Sequence, residues 1–292
     1  MYNLKKGVAS LADLKDGSFL TMAAAGGKVI RVSAKGDGDY VTVQAAVNAA
    51  KAGDVILIDN AGSYGSNQAA VYTESVTMTD KDNISLVGVG PFASVRITAA
   101  AATESALTIT GCRDINIVNL KLSGLTSGAG CYMDGTGNTR RVGFYNCQFT
   151  SGVAGYGVYS KCGTGQNAMI RFENCIFSET GYGIFDQAVG GGNPTSQIIV
   201  KDCGFYYHTT WNIMVEDYGV NWNILNCWFG LEEDGTLPTG GFLSHEATNS
   251  TGLVSGCFFS DADAGSAEIK LAAEVFFMGN YTEEGVSAAR PN

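Results

Sequence analysis

Gln187, Glu216 and Glu246 each lie two residues beyond Phe185, Met214 and Ser244, which occupy like places in successive repeats of this chain. If those repeats stack as neighbouring strands, Glu216 and Glu246 stand about 5 Å apart. That separation suits the nucleophile and the acid of a retaining glycosidase. Carboxylates so close also split their pKa values, which acid–base work requires. Asp186 adjoins Gln187, so Asp186, Glu216 and Glu246 are the candidate catalytic residues. Tyr206, Tyr207, Trp211 and Trp222, with Trp228 near them in sequence, are the candidate ligand-binding residues, because their rings could stack on sugars. The competing reading is plain: acidic residues are expected on the solvated face of an acidic protein, and aromatics commonly pack under loops.

Other chemistry is thinly represented. His208 and His245 are the only histidines and stand 37 residues apart, which argues against a two-histidine metal site. The eight cysteines include no C-x-x-C pair, so zinc and dithiol redox chemistry are not expected. "GDGD" (Gly36 to Asp39) lacks the later acidic ligands of a calcium loop. "GGGNP" (Gly190 to Pro194) is not followed by the Lys-Ser/Thr of a phosphate cradle. No cofactor and no metal are expected. The net charge of −10 disfavours nucleic acid and anionic lipid as partners. Nor does any apolar run reach the length of a membrane span or a signal peptide, so synthesis in a cytoplasm with reduced thiols is expected.

The elements that must position these residues repeat. "FYNCQF" (Phe144 to Phe149), "FENCIF" (Phe172 to Phe177) and "ILNCWF" (Ile224 to Phe229) are three copies of one phrase. Anchored before each cysteine, the ladder runs Asn146, Asn174, Asp202, Asn226, Gly256, with steps of 28, 28, 24 and 30 residues. Asn119 opens the series, with Leu120 and Leu122 in the Cys and Phe places; Asn280-Tyr281 is expected to close it. Asn, Asp and Gly are the types that best tolerate a left-handed backbone. A bend is also required by parity, because an unbroken strand would send Phe172 and Cys175 to opposite faces. A second ladder aligns Val158, Ile184, Ile213 and Leu243. Three short strands per repeat of about 28 residues describe a parallel β-solenoid, with the cysteines and phenylalanines as interior columns. The fold expected is all-β, a right-handed single-stranded parallel β-helix. Val43, Ala46, Val47 and Ala50 recur at helical spacing, which places an N-terminal capping helix on the open end. Residues 1–30 belong to no coil and are expected to be an attachment arm, with residues 31–292 forming the β-helix and its cap.

Gly38-Asp39-Tyr40, Thr42-Val43-Gln44, Ala46-Val47, Ala49-Ala50, Tyr72, Glu74, Val76 and Leu86-Val87-Gly88 with Gly90 resemble the start of pectin methylesterases, within the pectin lyase-like superfamily. The resemblance covers roughly residues 32 to 98. It implies the β-helix fold, and for the family's esterases two Asp, an Arg and Gln residues at the site. The nearest phrase here is "GYGIFDQAVGG", with Asp186 and Gln187. The family's downstream Arg motif is missing, since no arginine stands between Arg171 and Arg290. The lyase and polygalacturonase signatures are missing as well. Superfamily members act mostly outside cells, on polysaccharides or as rigid virion parts. The expected function is therefore a bacteriophage virion protein without catalysis, a capsid decoration, head fibre or tail-associated spike made in the host cytoplasm and released by lysis. Its expected partners are two more copies in a homotrimer, other virion proteins through residues 1–30, and cell-surface polysaccharide. The alternatives are a carbohydrate-active esterase or hydrolase using Asp186, Glu216 and Glu246, and a non-catalytic carbohydrate-binding adhesin.

Overall fold

The computed structural model describes residues 27–60, 70–189, 195–217, 219–231, 237–245, 249–260 and 269–282. Residues 1–26 of the expected arm lie outside them. Its last residues do not: Val29 and Ile30 belong to the strand Val29–Val32, which pairs in parallel with Val55–Asp59.

The chain is an all-β parallel solenoid of about eight turns with almost no helix. A ten-stranded parallel sheet runs from Val29–Val32 to Val275–Met278 and forms the first face. The second face stacks short strands such as Lys121–Ser123, Gln148–Thr150 and Trp228–Phe229. A third stacks Leu107–Thr110, Ala129–Gly135, Tyr156–Cys162 and Gly241–His245. In two coils the second and third faces merge into one long strand, Ile176–Ala188 and Gly204–Val215, with a register shift between Thr180 and Tyr182.

Parallel in-register stacking puts like on like, and the apolar residues choose the inside. Leu122, Phe149, Phe177, Phe205, Phe229 and Phe259 share one buried column. The rings of the four successive Phe pairs lie 4.7–5.1 Å apart and within 11° of parallel. Cys147, Cys175, Cys203, Cys227 and Cys257 form the neighbouring column. All are buried free thiols. Each thiol lies against the carbonyl two residues before it and one in the preceding coil, as Cys175 does with Glu173 at 3.5 Å and Phe144 at 3.4 Å.

The bends between the first and second faces are left-handed as expected. Asn119, Asn146, Asn174, Asp202, Asn226 and Gly256 have φ between 52° and 67°. The series closes one residue earlier than expected. Gly279 takes the bend (φ 62°), and Asn280 takes the cysteine place inside the coil. There its Oδ1 accepts from the Cys257 amide at 2.9 Å and its Nδ2 donates to the Val254 carbonyl at 3.0 Å. Asn tolerates this backbone region and alanine resists it by roughly 1–2 kcal/mol. Asn174→Ala is therefore expected to cost about that much in a urea melt, and Asn174→Gly clearly less. Equal losses would mean that φ is not what selects Asn here.

The one described helix, Val43–Ala49, buries Val43, Ala46 and Val47 in the solenoid core. Thr42 caps it, and the Glu74 carboxylate accepts from the amides of Val43 and Gln44 at 2.8 and 2.9 Å. An acidic group there satisfies two donors that the helix itself cannot.

Candidate functional site

Three parallel rows run along the third face: two are alternate outward positions, and one, three residues earlier, is in phase with the buried Val158 and Ile184 but joins the outward row through ring contacts with Tyr159 and Phe185. The in-phase row is Tyr156, Tyr182 and Trp211. Next to it runs Tyr132, Tyr159, Phe185, Met214 and Ser244. The last is Asp134, Lys161 and Gln187, with Glu216 following one residue after the Asp186–Val215 pairing. An aromatic band two rows wide thus lies beside a row of charged and amide groups. Its rings touch: Tyr132 to Tyr159 at 5.3 Å, Tyr156 to Tyr159 at 4.8 Å, Tyr156 to Tyr182 at 5.3 Å and Tyr182 to Phe185 at 5.0 Å.

The two kinds of row are bonded together. Tyr159 Oη donates to Gln187 Oε1 at 2.7 Å, and Gln187 Nε2 donates to Glu216 Oε2. A carboxylate, an amide and a phenol form one chain across three coils. Burial raises the Tyr159 hydroxyl to about 12, with its tyrosine neighbours and then Glu216 and Asp186 adding to the rise. It therefore remains a neutral donor at physiological pH. At the far end Lys270 Nζ sits 5.2 Å from the centre of the Trp211 ring, within reach of a cation–π attraction.

The expected residues are dispersed across the molecule. Glu216 is on this face, in line with Gln187 as the repeat spacing implied. Glu246 lies outside the described residues. Asp186 points into the coil and is buried, so it does not share a solvent face with Glu216. Thr195 donates to its carboxylate, and the Ser160 hydroxyl bonds it as well. Burial pushes its pKa up to about 7 against the pull of those hydrogen bonds. Alternation explains the placement: if Phe185 and Gln187 face out, Asp186 must face in.

The four candidate aromatics do not form one cluster either, although Tyr206 and Tyr207 touch each other at 6.4 Å. Trp211 belongs to the third face and is largely covered. Trp222 is a core residue on the first face, 5.9 Å from the buried ring of His245. Tyr206 and Tyr207 are on the second face with Trp228. Spacing did not separate inward from outward positions in those strands. Four residues that do line the third face, Tyr132, Tyr156, Tyr159 and Tyr182, were missed. For Tyr132 and Tyr159 the signal was present in "GCYM" and "GYGVY", where each sits at opposite parity to the buried Cys131 and Val158; Tyr156 and Tyr182 share the parity of Val158 and Ile184, so alternation alone would have placed them inside.

Both histidines are buried, which lowers them to about 3 for His208 and about 4 for His245. His208 Nδ1 bonds the Thr180 hydroxyl at 2.8 Å. Among the described residues no cluster of three or more His, Cys, Asp or Glu could hold a metal ion.

No protein-family model matches the chain, and no curated protein matches it in sequence. Solved structures do match its fold. The pectin methylesterase of Aspergillus niger superposes with a TM-score of 0.60 at 15% identity, over 88% of this chain and 86% of that one. The carrot pectin methylesterase gives 0.56 at 15%, over 87% and 82%. A GH136 lacto-N-biosidase from Eubacterium ramulus gives 0.56 at 11%, over 89% of this chain and 56% of its own. All are pectin lyase-like β-helices. Identities this low establish the shared fold alone.

Proposed function

We propose that this chain is a rigid glycan-contacting rod carried on a bacteriophage particle, binding host-surface polysaccharide without turning it over. The observation that carries the reading is the aromatic band beside the polar row on the third face. Flat rings with amide and carboxylate groups at their edge fit a pyranose, which offers an apolar face and a rim of hydroxyls. Eight buried free thiols fit a protein folded in a reducing cytoplasm and released by lysis. In this reading the helix Val43–Ala49 caps the N-terminal end of a right-handed coil, and residues 1–30 join the chain to other virion proteins. Three copies associate through the exposed second-face residues Trp228 and Tyr281 and the exposed first-face residue Phe276. Sedimentation as a monomer would remove that last part.

The test uses a printed panel of bacterial surface polysaccharides and mass spectrometry of purified particles. Tyr159→Ala and Tyr182→Ala are each expected to weaken binding about tenfold, the equivalent of losing one ring contact of about 1.4 kcal/mol. Glu216→Gln is expected to retain most of it. Particles that lack the chain would rule out the virion role.

A hydrolase or esterase is the second reading, favoured by the fold shared with pectin methylesterases and a lacto-N-biosidase and by Glu216 standing on the band. Release of product from methylated pectin or a bound glycan, abolished by Glu216→Gln, would replace the binding reading with this one.

A further inference from the structure

The second face carries two cations to which no carboxylate among the described residues is bonded. Arg96 and Lys121 occupy successive rungs of one outward column, in register, and so lie about 4.8 Å apart at the backbone. Among the described residues the ion pairs gather elsewhere, at Arg31, Arg141, Arg171 and Lys201. In a chain with ten more acidic than basic groups, two adjacent cations without a bonded carboxylate among the described residues call for a counter-charge. Their mutual repulsion costs free energy unless something neutralises it.

Buried donors point the same way. The Nε of Arg96 is buried without a hydrogen-bond partner, and so is the Oγ1 of Thr98, the next outward residue on that strand. Leaving such groups unmet is costly. The hydroxyl beside Thr98 is already engaged: Ser123 accepts from Thr150 at 3.0 Å and donates to the Gly124 carbonyl at 3.3 Å. The Lys121 ammonium is held below its usual range by burial and then by the charge of Arg96. Glu179 is the one carboxylate that opposes this, and it acts through space without a bond to the lysine.

We propose that Arg96, Lys121 and Thr98 form a binding site for a tetrahedral oxyanion, a sulfate or phosphate group. Guanidinium, ammonium and hydroxyl belong to two neighbouring rungs, whose backbone positions span a patch about 4.8 Å by 6.6 Å. A tetrahedral oxyanion turns three oxygens toward such a patch and can meet all three donors. A carboxylate offers two. The group is either the free ion or its ester on a saccharide, since both present the same oxygens. The site lies on a different face from the aromatic band and does not depend on what that band binds.

Calorimetric titration of the full chain with sodium sulfate, sodium phosphate, glucose 6-sulfate and sodium acetate tests this. Saturable binding of a sulfate or phosphate probe to one site is expected, at least tenfold tighter than acetate. Arg96→Gln and Lys121→Gln are each expected to weaken it tenfold or more, and Thr98→Val several-fold. Arg171→Gln, at an arginine on the first face that is paired with Glu173, is expected to change nothing. Tighter binding of glucose 6-sulfate than of sulfate identifies a polymer-borne ester as the natural source, and the reverse identifies the free ion. Binding that is non-saturable, equal for acetate, or unchanged in Arg96→Gln and Lys121→Gln overturns the proposal. Gel filtration of each variant separates loss of the site from loss of the fold.

Discussion

Phe205→Ala is expected to destabilise the chain by about 3–5 kcal/mol, the largest effect of any single truncation here. Phe205 is wholly buried between Phe177 and Phe229, at 4.7 and 5.1 Å, with both neighbouring rings almost parallel to its own. Alanine removes the ring and leaves a gap that the rigid coils above and below cannot close, because each is fixed by its own backbone ladder. Thermal unfolding should shift down by roughly 10 °C for a chain of this size. Phe205→Leu, which fills most of the space, should lose much less. The comparison that matters is Trp228→Ala one rung away, since Trp228 faces solvent and is 49% exposed. A loss at Trp228 as large as at Phe205 would show that the stacked column is not where the stability lies.

Asp186→Asn is expected to stabilise the protein at pH 8 and to change how its stability depends on pH. The folded-state pKa of Asp186 is raised to about 7, whereas an unfolded aspartate titrates near 3.9. Between those values the folded chain holds a proton that the unfolded chain has released. The stability this carboxyl contributes is therefore complete below about pH 4 and lost as pH rises through 7. The loss runs at about 1.4 kcal/mol per pH unit, so the variant should gain on the parent by about 4 kcal/mol across that window. The amide keeps a partner, because the Thr195 and Ser160 hydroxyls can turn to accept from it or donate to it. The histidines act with the opposite sign. His208 and His245, lowered to about 3 and about 4, contribute stability above pH 6.5 that is lost as pH falls. In the parent Asp186 partly masks that acid loss, so the variant should fall more steeply below pH 6.5. Melts at half-unit intervals from pH 4 to 8 measure this, and parallel curves for parent and variant would refute it.

The interior of the fold could be read before the structure because its columns use residue types that do one thing. Asn at a bend, Cys behind it and Phe two places further each answer a single constraint, and their recurrence gave the register. A second left-handed column, Asp114, Arg141, Met169, Gln197 and Asn221, was not legible. Asp114 and Asn221 are types that suit such a bend, but Arg141, Met169 and Gln197 between them are not, so no repeated residue type marks the column. The candidate site was half legible for a related reason. The Gln187–Glu216 alignment followed from spacing, but Asp186 was one residue off the outward phase. Trp222, Tyr206 and Trp211 face the core, the second face and the third face, a distinction that hydrophobicity alone does not make for aromatics. Arg96 and Lys121 carry no motif. Only the pairing of rungs 25 residues apart brings them side by side.

The in-register bends make this molecule a ruler that can be cut only at its graduations. Loss of one whole repeat would bring Phe177 onto Phe229 and Asn174 onto Asn226, so the rod would shorten by about 4.8 Å and keep every column intact. Loss of a single residue inside a strand would turn each later side chain in it through the wall, exchanging core for solvent. Lineages of this chain should therefore differ in length by multiples of a coil, or in the loops between faces, and its reach from an anchoring surface can be altered without redesigning either face.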